Sequence, residues 1–165
     1  MADWDIVRQW IILADMDLRT AEHIAATMIP LPLEIICFHC QQAVEKYLKG
    51  FLELHNEIPP HIHDLVELQK RCEQYNAEFV KLQESSQALA AYSVRPRYDL
   101  GLDLQESDMR SSLRHMQSVK TFIQAAAPEL FQEDDPSSVK QDGEKPAGEM
   151  AAAKLWAAPL FDGSK

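Results

Sequence analysis

No stretch of this 165-residue chain approaches the ~20 consecutive apolar residues that a bilayer-spanning helix needs, so no transmembrane segment is expected. Glycine is scarce, with 5 in all, and runs of β-branched residues are few. Both shortages argue against sheet, and the strong helix formers Ala, Leu, Gln, Glu and Lys dominate instead. Positive charge is short as well. The formal net charge of −10 excludes broad electrostatic affinity for nucleic acid or an anionic membrane, so any such contact needs a local basic cluster. Cysteine is odd in number, at 3, and two of the three lie inside a helical pattern. That fits buried thiols in a reducing compartment better than a disulfide framework. The opening residues MADWDIVRQW are acidic and amphipathic, unlike a secretory leader. A soluble, cytoplasmic protein is expected, with a core of about 120–130 residues that can stand without staples.

What is present is helical periodicity. Trp4, Val7, Ile11, Ala14, Leu18, Ala21 and Ala25 recur at 3–4 spacing, predicting a first helix over residues 3–28 with Asp3 as its cap. Pro30 and Pro32 end it. A second helix is expected over residues 33–54, and a third begins near His63-Asp64 with Leu65, Leu68 and Cys72 on one side. A fourth covers residues 77–94, with Phe79, Leu82, Leu89, Ala90 and Tyr92 inward, because Pro96 disfavours helix at Arg95. The fifth runs from Gln105 or Glu106 to about Ala126 and buries Met109, Leu113, Met116, Val119 and Ile123. These predict an all-α, up-and-down antiparallel bundle of four to five helices over residues 1–130. Residues 131–149 are charged and rich in Pro, Gly and Ser, as in a flexible acidic linker. Residues 150–165 turn apolar again, with Leu155, Trp156, Leu160 and Phe161, and suit either a terminus folded back on the bundle or a peptide that docks on a partner.

The second helix carries the most informative pattern. Ile36, Cys40, Ala43, Val44, Tyr47, Phe51 and Leu54 gather on one face at 100° per residue. His39, Gln42, Lys46 and Lys49 gather opposite, within roughly 80° of each other. With Glu45 beside it, this stripe of donors can hold an anion or a carboxylate, or its charges can pair with neighbours three or four residues away. Cys37-Phe38-His39-Cys40 has the C-x-x-C spacing of redox or zinc sites, but no strand precedes it and adjacent helical positions diverge, so buried structural cysteines are expected. His55, His61, His63 and Asp64 are ligand types without a converging geometry, and no metal or other cofactor is expected. Arg95-Pro96-Arg97-Tyr98-Asp99 is the one dense basic spot. Arg offers a fork for phosphate there and Tyr98 a ring for a base, or else Arg97 pairs with a Glu or Asp and Tyr98 packs on the bundle. Arg110 and His115, five apart, point about 140° from each other on a regular helix and would not share a site within one chain.

Taken in order, FHCQQAVEKYLKGFL at 38–52, HDLVEL at 63–68 and AYSVRPRYD at 91–99 resemble the HEPN domain family. These are helical bundles found beside minimal nucleotidyltransferases. The resemblance spans about residues 4–126 and includes Ala14, Asp17-Leu18 and Ala21 of the first helix. It implies a homodimer that binds nucleotide or RNA and works with a nucleotidyltransferase-domain partner, in a toxin–antitoxin-like or stress and defence role. Arg95, Arg97 and Tyr98 would then contact phosphate and base. His39, Gln42, Lys46 and Lys49 would line the cleft, and His63 and Asp64 would orient the ligand or fix the loop. Many family members are metal-independent ribonucleases, with an Arg, a polar residue, and a His four to six positions after the Arg. Here Arg97 is followed by Tyr98 and Asp99, and no His occurs before His115. The catalytic candidates are therefore Arg110 and His115, with Ser111 as the polar residue and Gln117 where a Tyr usually stands, or Arg97 with His115 across a dimer. Enzymatic activity is left open, with a non-catalytic interaction module as the further alternative.

Overall fold

The computed structural model describes residues 1–93 and 103–132. Arg95, Arg97, Tyr98, the acidic linker and the C-terminal peptide lie outside the described residues, apart from the linker's first two positions. Among the described residues there are five α-helices and no strand.

Helix α1 spans Trp4–Thr27, and the Asp3 carboxylate caps it by accepting from the backbone N–H groups of Asp5 (3.1 Å) and Ile6 (3.4 Å). Val7, Ile11, Ala14, Leu18 and Ala21 are buried as their spacing predicts, while Trp4 is exposed and Ala25 only half-buried. Helix α2 spans Leu33–Leu54. It packs against α1, α3 (Leu65–Glu73), α4 (Gln83–Ala90) and α5 (Glu106–Ala126), and so forms the axis of the bundle. Ile11 lies beside Gly50, Asp15 bonds Tyr47 and Asp17 bonds Lys46. Residue numbers that rise along α1 fall along α2, so the two helices are antiparallel. Their closest approach needs Gly50: a Cβ there would stand 3.0 Å from Ile11 Cδ1 and 3.2 Å from Trp10 Cβ.

Asp64 caps α3, accepting from Val66 N (2.9 Å) and Glu67 N (3.1 Å). The sequence predicts one helix over residues 77–94. The structure instead has a 3₁₀ helix, Ala77–Leu82, leading into α4. Asn76 caps the 3₁₀ turn through Glu78 N at 3.0 Å, and its i, i+3 geometry brings Phe79 and Leu82 onto one line facing the core. Helix α5 opens with a capping box between Gln105 and Asp108 and buries Met109, Ser112, Met116, Val119 and Ile123, with Leu113 half-buried. A short 3₁₀ helix, Pro128–Phe131, follows and buries Leu130. Four residues beginning with Pro carry too little periodicity to be seen in sequence. Aromatic rings gather at one end of α2, where Phe51 lies 4.3 Å from Phe79 and 4.6 Å from His55, ring centre to ring centre.

Candidate functional site

The donor stripe of α2 exists, but neighbouring elements cover it. On the α1 side, Asp17 accepts from Lys46 Nζ at 2.6 Å and stands 2.8 Å from His39 Nδ1. Lys46 also donates to Gln42 Oε1 (3.0 Å), and Gln42 Nε2 donates to Gln41 Oε1 (2.7 Å). Gln41 Nε2 reaches Glu45 Oε2 at 3.1 Å. Glu45 then takes Lys49 Nζ at 2.8 Å and His63 Nδ1 at 3.0 Å. A continuous polar chain thus runs from α1 along α2 to the residue before the α3 cap. Gln41, Glu45 and Lys49 in it are buried, and Lys49 Nζ also lies 5.6 Å from the centre of a Trp10 ring.

Burial alone would raise the pKa of Asp17, but its hydrogen bonds with His39 and Lys46 outweigh burial and hold the carboxyl below its ordinary value. Burial likewise opposes ionisation of Glu45, and Lys49, Gln41 and His63 reverse it, so Glu45 is lowered too. A carboxyl whose folded pKa is depressed adds stability above its unfolded value, about 4, and that stability is lost as pH falls through the folded value. We expect the urea midpoint of the bundle to hold from neutral pH to about pH 5 and to fall steeply below about pH 4. Asp17→Asn should flatten that fall, and an unchanged acid limb in the variant would contradict the assignment.

His63 and Asp64 divide the work at the α3 terminus. Asp64 is a helix cap, whereas His63 is tied to Glu45 through Nδ1 and keeps 57% of its side chain exposed. His55 stacks on Tyr75 with ring centres 4.6 Å apart and does not join His63. Among the described residues no group of three His, Cys, Asp or Glu side chains is placed to hold a metal ion. Cys37, Cys40 and Cys72 are free thiols and buried, and burial pushes each thiol pKa up, as inert core cysteines require.

Arg110 and His115 face different neighbours. Arg110 is exposed, pairs with Glu106 at 3.2 Å, and borders a cavity of about 290 Å³ with Glu22, Leu31 and Leu113. His115 is half-buried against α4, with Ser85 Oγ 3.0 Å from its Nδ1. The two do not form one site within the chain, as their angular separation predicts. Sequence reasoning did not find Asp15, which accepts from both Tyr47 Oη and Lys120 Nζ (2.7 Å). Nor did it identify Asp17 as the partner of His39 and Lys46. The available signal was the pair of carboxylates two residues apart in the otherwise apolar run WIILADMDL.

The family model described as HEPN domain matches residues 7–126, well over half of the chain. No curated protein and no solved structure matches this chain.

Proposed function

This chain belongs to the HEPN domain family, and from that premise we propose that it binds nucleotide or RNA as a homodimer working with a minimal nucleotidyltransferase partner. The observation that best supports a ligand site is His63. Buried Glu45 engages its Nδ1 and fixes the ring, which leaves Nε2 to meet a ligand on a side chain 57% exposed. When the ring is neutral, that nitrogen accepts from a ribose hydroxyl or a base N–H. Asp17 engages Nδ1 of His39 in the same way. Arg97 donates to phosphate, Tyr98 stacks on the base, and Arg95 adds local positive charge in an acidic chain. Lys46 and Lys49, each already paired with a carboxylate, hold the wall of the cleft with Gln42, and Asp64 fixes the loop that presents His63.

Titration of ATP, GTP and a short RNA against the full chain tests this. Saturable binding is expected, weakened about tenfold or more by Arg97→Ala. No binding at millimolar nucleotide would overturn the proposal in favour of a pure interaction module. A second reading, ribonuclease activity, draws support from the Ser85 contact, which holds His115 by Nδ1 and leaves Nε2 for proton transfer, with Arg110 or Arg97 supplied across the dimer. In the same titration His115→Ala should bind RNA as the parent does. RNA cleavage that this variant abolishes would put the second reading in place of the first.

A further inference from the structure

Among the described residues, the outward face of α1 is left uncovered. Opposite the buried line of Val7, Ile11, Ala14, Leu18 and Ala21 stand Ile6, Ile12, Leu13 and Met16, with 42%, 59%, 44% and 59% of their surface exposed. Single exposed apolar residues are ordinary, but four on one helix face within three turns form a patch. The polar residues among them add little to its hydration: Thr20 already donates its hydroxyl to the Met16 carbonyl at 2.7 Å, and Gln9 is uncharged. Charge returns only at the ends of the strip. Asp5 lies at one end with its side chain 88% exposed and a 3.8 Å contact to Arg8, and exposed Arg19 lies at the other.

We infer that this face is the contact between two copies of the chain, paired antiparallel through α1 about a two-fold axis near Ile12 and Leu13. The inference rests on the homodimer in the proposed function and names its interface. Residues 5 and 19 are equidistant from residue 12, and they lie about 40° apart around the helix, on the same flank of the apolar strip. On one chain they are about 21 Å apart along the axis and cannot pair. In the antiparallel arrangement Asp5 of each copy meets Arg19 of the other, closing both ends of the strip with opposite charges. A parallel arrangement would instead set Asp5 against Asp5 and Arg19 against Arg19. The face is thus complementary to itself, the condition an isologous interface must meet.

The three native cysteines are buried, which makes an engineered surface thiol a clean probe. Sedimentation of the full chain at micromolar concentration should show a dimer. Met16→Glu should convert it to monomer, weakening association tenfold or more, with the helical signal and thermal midpoint of the monomer unchanged. Ile12→Cys should form a disulfide-linked dimer on mild oxidation, whereas Gln87→Cys, on exposed α4 surface, should not. A dimer that survives Met16→Glu, with no cross-link through Ile12→Cys, would overturn the α1 interface while leaving the homodimer standing. A monomeric parent chain would overturn both, and would hand the apolar face to the chain's own apolar residues 150–165 or to a different protein.

Discussion

Glu45→Ala is expected to cost the bundle about 3–5 kcal/mol, the scale for removing one partner of a buried ion pair. The carboxylate is 95% buried and serves Lys49, His63 and Gln41 at once. Its loss leaves the Lys49 ammonium, only 8% exposed, without its counter-charge, and desolvation rather than the lost attraction supplies most of the penalty. At about 2–4 °C per kcal/mol for a domain of this size class, the thermal midpoint should drop by roughly 10 °C. The double variant Glu45→Met with Lys49→Met separates the causes. Removing both charges and keeping the volume should restore most of the loss, since apolar replacements of buried pairs are often neutral or better. Urea unfolding of the two single variants and the double variant measures the cycle. A Glu45→Ala loss under about 1 kcal/mol would mean that water reaches the pair and that the site is effectively a surface one.

The second large effect belongs to Phe51. The ring is 2% exposed and lies between Phe79 and His55, and Phe79 in turn meets Phe122 edge-on at 5.0 Å. Phe51→Ala should therefore cost about 3–5 kcal/mol, combining the lost transfer energy with a cavity that rigid neighbouring rings cannot close. Phe51→Leu keeps most of the volume and should cost much less, about 1 kcal/mol. Urea midpoints at unchanged slope give both values. Equal losses in the two variants would show that ring stacking, not volume, holds this end of the bundle.

The fold was largely legible because periodicity reports which face of a helix is dry. The spans of α1, α2 and α5 follow from it almost residue for residue. Periodicity does not report which element lies over a given face. The stripe of His39, Gln42, Lys46 and Lys49 could be read as polar, but not as covered, because the carboxylate that meets half of it sits 22 to 29 residues away on α1. Gly50 belongs to the same class, since its need appears only once Trp10 and Ile11 are in place. The sequence of Ala77–Leu82 does not distinguish 3₁₀ from α-helix, because Phe79 and Leu82 at i, i+3 suit both geometries, and the Asn76 cap acts only in three dimensions. Arg110 and His115 have different neighbours, Glu106 for one and Ser85 for the other, and helix pitch alone sets them about 140° apart.

The stretch of α2 from Ile36 to Leu54, where no residue is exposed, has no open flank from which to fray. Its amides can exchange with solvent, and its backbone can enter a protease, only after a neighbouring helix has come away. The lifetime of the folded protein is therefore set by how firmly its neighbours grip α2, and the polar chain through Asp17 and Glu45 is part of that grip.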